Sequence, residues 1–168
     1  MQGTNSLFNK SSLWCGVFSC VICIFSRIIF DSPLEMIHIV KGISLLPSIW
    51  IYNLISYAWF FLIGVAAGAI MESTKCGSNN GHSEICAYRG GLFFLSCFFI
   101  SLILYHLFFI LNMLFLSLII SAVSLMCTLL CAVQWSRVRP HTSSVIMYSF
   151  SVWQFYMFFV CLSVFINN

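Results

Sequence analysis

A chain of 168 residues that is 61% hydrophobic and 7% charged, with a net charge of +3, has too little polar surface to cover a water-soluble globule; about a quarter of the residues in such a domain are ordinarily charged. With a mean hydropathy of +1.04, the composition implies an integral membrane protein whose first partner is the lipid bilayer. Its few Lys and Arg form no cluster, which leaves nucleic-acid binding without an electrostatic footprint.

Crossing ~30 Å of hydrocarbon takes about 20 apolar residues in a helix. The first such stretch is 12–30, behind a short polar N-terminus. A signal peptide is the rival reading, since Lys10 precedes a Cys/Val/Ile-rich run; no small-x-small cleavage site follows, so a first span is expected. The segment DSPLEMIHIVKG (31–42), with Asp31, Glu35, His38 and Lys41, is expected as a short amphipathic interfacial helix. A second span covers about 50–71. The uncharged stretch Gly90–Trp135 would be roughly 70 Å long as one helix, more than twice the hydrocarbon thickness, so it must turn back. Its most polar members, Tyr105, His106 and Asn112, place the turn between 104 and 113. Spans three and four are therefore expected at about 88–105 and 113–135. A fifth, about 144–166, follows the Pro140-containing loop SRVRPHTS. The expected fold class is an all-α membrane protein, a five-transmembrane-helix bundle in a single domain over 1–168.

With five spans, the N-terminus and the 72–89 and 135–143 loops share one side, carrying Lys10, Lys75, Arg89, Arg137 and Arg139 against Arg27 and Lys41 opposite. For a chain inserted by a translocon, this bias makes the N-terminus cytosolic. Cys76 and Cys86, the two loop cysteines, would then stay reduced and form no obligatory disulfide. The other seven, Cys15, Cys20, Cys23, Cys97, Cys127, Cys131 and Cys161, lie in apolar runs, where free Cys behaves as a small hydrophobe.

Chemistry is sparse. No acidic or basic residue lies deep within a span, and only Arg27 approaches one from its end. Intramembrane charge is the usual mark of proton relays and ion pathways, so a proton-coupled transporter or pump is disfavoured. Cys76, His82 and Cys86 match no common zinc spacing, and Asn9-Lys10-Ser11 is a glycosylation sequon crowded against the first span. No enzyme activity, metal or cofactor is called for. Gly64-Val-Ala-Ala-Gly68 is a GxxxG motif suited to packing within the bundle or to a homodimer. Trp50 and Trp135 fall at span ends, where aromatic belts are expected. Trp153 falls mid-span, in a stripe with Phe150 and Tyr156 at i, i+3, i+6.

The order of these features resembles the TspO/MBR family, the translocator proteins also called peripheral-type benzodiazepine receptors or tryptophan-rich sensory proteins. The resemblance runs from Arg27 to Asn168: Arg27 in FSRIIF, Pro47-Ser-Ile-Trp50, Ile63-Gly64, Tyr88-Arg-Gly90, Trp135 followed by Val138-Arg-Pro140, and Ser149-Phe150-x-x-Trp153-x-x-Tyr156. The chain departs from the family at Leu54 and Ser56, where a Pro and a Trp are usual, and at Leu95-Ser96-Cys97-Phe98 in place of Asn-Trp-x-Trp. Val160-Cys161-Leu162 replaces Leu-Asn-Tyr. Leu162 and Ile166 stand where the cholesterol-recognition pattern needs a Tyr and a basic residue.

What the resemblance implies is a hydrophobic pocket within five helices that takes a porphyrin-type (heme-type) or sterol-type ligand, for transport or sensing, in the mitochondrial outer membrane or another organelle membrane. Carried over by position, its lining would be Asn53, Ser56, Phe98, Trp153, Tyr156, Met157 and Val160, and the aromatic stripe would face the ligand. The competing reading is a structural or accessory multispan subunit whose stripe packs a helix. An apolar cavity among the first, second, third and fifth helices favours the ligand, a filled core the subunit.

Overall fold

A computed structural model describes residues 10–30, 48–76, 82–138 and 141–167. Five helices account for nearly all of them: α1 (Lys10–Phe30), α2 (Ile49–Cys76), α3 (His82–Ile110), α4 (Leu114–Trp135) and α5 (His141–Asn167). Four contain segments long and apolar enough to cross a membrane, Trp50–Glu72, Glu84–Ile110, Leu114–Trp135 and His141–Asn167, while the apolar part of α1, Lys10–Phe25, is shorter. The chain is thus an all-helical integral membrane protein. The interfacial helix expected over 31–42, Pro47, the 77–81 loop, Arg139-Pro140 and Asn9 lie outside the described residues, as do the side chains of Arg27, Lys75, Cys76 and His82.

Helices α2, α3 and α5 run past their expected ends. At 28 residues, α2 is about 42 Å long, more than the ~30 Å of hydrocarbon. A helix needs no apolar residues to continue into the headgroup layer, because its backbone hydrogen bonds are internal. Glu72 near the end of α2 accepts a hydrogen bond from the Ser11 hydroxyl at the start of α1 (2.7 Å), fastening the antiparallel pair there.

The return between α3 and α4 falls at 111–113, inside the expected window, but Tyr105 and His106 are not part of it: α3 carries on to Ile110 and buries both. Asn112 makes the turn, with φ at 56°, a left-handed conformation that Asn tolerates better than most side chains. Its N–H reaches the Phe109 carbonyl (3.1 Å), and that of Met113 reaches Phe108 (2.9 Å). This pairing satisfies the last carbonyls of α3 in a Schellman motif.

The helices close into a ring in the order α1, α2, α5, α4, α3. Packing is extensive between α1 and α2, α3 and α4, and α4 and α5, while α3 meets α1 and α2 only sparsely. The α1–α2 seam is made of small residues. A Cβ on Gly64 would collide with the Cys15 carbonyl, and one on Gly68 would stand 2.6 Å from Ser12 Cα. Across from them Ser12, Gly16, Ser19 and Cys23 form a buried stripe at i, i+4, i+7, i+11. The GxxxG motif therefore serves packing inside the chain, and its face is already occupied. The same device recurs where Gly91 on α3 receives the Trp135 indole. Trp135 was expected in an interfacial belt; it is 0% exposed, whereas Trp50 at the start of α2 is 72% exposed.

The bundle is inverted relative to a soluble protein. Large apolar side chains such as Trp14, Phe18, Phe25 and Val152 cover the outside, and Ser and Thr hydroxyls lie within. Those hydroxyls mostly donate to carbonyls three or four residues back on their own helix, as Ser101 does to Phe98 (2.8 Å), Thr128 to Leu125 (2.8 Å) and Ser151 to Met147 (2.9 Å). That habit lets a polar side chain be buried without a partner helix. Inter-helix bonds are fewer; besides Ser11 to Glu72, they include Ser143 to the Ala66 carbonyl (3.1 Å), Cys131 to that of Gly91 (3.3 Å), and the longer Cys20–Tyr57 and Ser117–Cys161 contacts (3.9 Å each).

Candidate functional site

An aromatic core fills one level of the ring. The Phe98 and Phe150 rings meet edge to face at 5.3 Å, with Phe60 6.3 Å from Phe98 and Trp59 5.8 Å from Phe150. Such edge-to-face pairs add stability beyond the area they bury. Phe98 and Phe150 are therefore core, and the proposed stripe on α5 divides after its first member.

Beside this core lies a cavity of about 50 Å³. Helix α2 lines it with Tyr52, Ser56 and Phe60, successive turns of one face, and α5 with Trp153, Gln154, Met157 and Phe158. Leu102, Tyr105 and His106 face it from α3, Ser121 and Ser124 from α4, and Cys23 from α1. Every helix thus contributes, and much of the lining is polar. Trp153 is stacked between Tyr52 (centroids 5.9 Å) and Tyr156 (5.3 Å). A cavity of this size holds a few waters; drug-sized ligands occupy about 300–1,000 Å³, so a porphyrin does not fit it as it stands.

Of the residues assigned to a pocket by resemblance, Ser56, Trp153 and Met157 come together on this cavity. Tyr156 leans from Trp153 toward a second cluster formed by Tyr105, Phe109, Val160, Cys161 and Val164, in which Val160 is buried. Phe98 is sealed in the aromatic core, and Asn53, half-buried beside Tyr52, is outside the lining. The sequence reading missed His106, Ser121, Ser124 and Gln154. A signal was present: Ser117, Ser121, Ser124 and Thr128 recur at i, i+4, i+7, i+11, a polar stripe down the inner face of α4.

His106 has a defined polarity. Its Nδ1 lies 2.7 Å from the Leu102 carbonyl, which can only accept, so Nδ1 carries a hydrogen. The Ser121 hydroxyl donates to the Leu118 carbonyl (3.0 Å).

A second space, about 550 Å³, lies where α3 stands off from α1 and α2. It is walled by Trp14, Phe18 and Ile22 of α1, Ile63 and Ala67 of α2, and Leu95 and Phe99 of α3. Apart from the Cys15 thiol, Ser19 is its one polar side chain. Trp14 and Phe18 are also largely exposed on the outer surface, so this groove opens sideways toward lipid.

Among the described residues no group of three His, Cys, Asp or Glu side chains is placed to hold a metal ion. Cys86 is exposed. No family model matches this chain, and no curated protein or solved structure matches it either.

Proposed function

We propose that this chain binds a lipophilic small molecule within a bundle of five membrane-spanning helices, α1 being the fifth span, as the resemblance to translocator proteins implies. The observation that carries the reading is the apolar groove of about 550 Å³ between α1, α2 and α3. Its size is that of a small-molecule site, and it is concave and nearly free of polar atoms. The ligand class is a porphyrin-type or sterol-type lipophile reaching the groove from the bilayer. The role is binding for transport or sensing, without catalysis, in the mitochondrial outer membrane or another organelle membrane.

The alternative, a structural or accessory multispan subunit, draws on the sealed contact of Phe98 with Phe150, which leaves that level of the bundle without space. Tryptophan-fluorescence titration of the purified full chain with protoporphyrin and with cholesterol separates the two. A saturable change for either supports the binding reading, because Trp14 lines the groove and Trp153 the cavity. No saturable change with both leaves the subunit reading.

A further inference from the structure

Three of the four hydroxyls in the α4 stripe are satisfied within their own helix. Ser117 donates to the Leu114 carbonyl (2.8 Å), Ser121 to that of Leu118 (3.0 Å) and Thr128 to that of Leu125 (2.8 Å). Ser124 differs. It is 4% exposed and lines the cavity, and its hydroxyl has no hydrogen-bond partner among the described residues. Ser56 on α2, 3% exposed, lines the cavity in the same way, and so does the Gln154 amide on α5, both without partners among the described residues. Three helices thus bring unsatisfied polar groups to one space. Ser124 and Gln154 stand near the midpoints of α4 and α5, at the depth of the hydrocarbon, where lipid offers no hydrogen bond and an orphan polar group is most costly.

We propose that the cavity is an internal hydration site, in which a small cluster of water molecules bridges Ser56 of α2, Ser124 of α4 and Gln154 of α5. The volume of about 50 Å³ accommodates about three or four waters, at roughly 10–15 Å³ each. The lining is uncharged, and it mixes donors with acceptors. Ser hydroxyls and the Gln amide do both, and the Trp153 indole N–H adds a donor. Tyr52 and His106 have interactions of their own, and Tyr105 interacts with Cys161. Water also both donates and accepts, so it can satisfy the whole set. An anion only accepts and an ammonium only donates, and either would leave part of the set unpaired. The inference is independent of the lipophile reading, which rests on the groove, but it adds a condition. Any ligand group that reaches Trp153 must displace these waters and replace their hydrogen bonds.

The test is X-ray radiolytic labelling of the full-length chain in lipid nanodiscs and heavy-oxygen water, read by mass spectrometry. Hydroxyl radicals formed from a bound water oxidise the side chain beside it, so heavy oxygen enters where water stands. Two methionines on α5 make the comparison: Met157 lines the cavity, while Met147 is fully buried in the core. In wild type Met157 should take up heavy oxygen about tenfold faster than Met147, because a close-packed core holds no water and a polar cavity does. Ser56→Ala, Ser124→Ala and Gln154→Leu combined remove the three unpartnered groups. Uptake at Met157 should then fall to within about twofold of that at Met147, since apolar cavities stay dry. Ser124→Ala alone, which decides the matter if the triple variant fails to fold, should lower Met157 uptake about threefold, the scale of one hydrogen bond. Equal uptake at the two methionines in wild type overturns the hydration site. So does uptake at Met157 that the substitutions leave unchanged, since the oxygen would then come from outside the cavity. Neither result touches the groove, which the fluorescence titration tests separately.

Discussion

The two neighbours of the α1–α2 pair make an instructive contrast. Within the pair, glycines bring backbones into direct contact, and the seam is closed to everything else. Toward α3 the facing residues are Phe18, Ile22, Leu95 and Phe99, and the helices stand apart around a groove. In a bilayer no hydrophobic driving force draws helices together, because lipid tails are as apolar as Leu. The size of the facing side chain then decides whether two helices seal or leave room. Small residues make structure here; large ones make space.

Five substitutions break or sharpen that contrast. The largest effect is expected for Gly64→Leu, whose side chain would run into backbone, the Cys15 carbonyl and Gly16 Cα, neither of which can rotate aside. A loss of about 3 kcal/mol, the upper end of overpacking costs, should appear as a much lower melting temperature in detergent. A melting temperature within a degree of wild type would mean the seam is not closed. Gly91→Ala comes next. Its methyl would meet the Trp135 indole, a side chain rather than backbone, so about 2 kcal/mol is expected, with a change in Trp135 fluorescence as the indole shifts.

At the cavity the effects should move from stability to binding. Trp153→Phe keeps an aromatic ring between Tyr52 and Tyr156 and should leave the melting temperature nearly unchanged. Affinity for a ligand whose aromatic end reaches the cavity should fall by roughly five-fold, about 1 kcal/mol of stacking. Lost stability with unchanged affinity would assign Trp153 to packing, and Met157→Ala, on the same wall, should follow whichever pattern Trp153 sets. The smallest effect is a gain. Gly90→Ala meets only the Gln134 side chain, at 3.4 Å, and should stabilise the helix by about 0.5 kcal/mol through lower backbone entropy. A destabilisation as large as that of Gly91→Ala would show that the α3–α4 contact is uniformly tight.

Five helices were legible in the sequence because length arithmetic is insensitive to detail: 46 uncharged residues must turn back, and Asn112 is the residue near their middle that suits a left-handed turn. Tyr105 and His106 were misplaced for an identifiable reason. Polar residues in an apolar run signal either a membrane surface or an inward face, and local sequence does not separate the two. The stripe Ser117, Ser121, Ser124, Thr128 on the next helix separates them once α3 and α4 are taken as an antiparallel pair. Trp135 went the same way: a Trp at a helix end signals an interface, unless a glycine on another helix offers a berth, and Gly91 is 44 positions away. Of the residues carried over by resemblance, Ser56, Trp153 and Met157 line the cavity, while Phe98 and Val160 are packed in the two core clusters.

The three-residue link at Asn112 has a mechanical consequence. It ties α3 to α4 at one end, and the insertion of Trp135 beside Gly91 ties them again at the other. Helix α3 is thus pinned at both ends and cannot swing alone. Helix α1 is equally committed to α2 through its glycine seam. Any widening of the space between α1 and α3 must move whole pairs, with the lighter α2–α5 contact as the pivot. The described helices thus form two tightly packed groups, α1–α2 and α3–α4–α5, joined by the lighter α2–α5 contact.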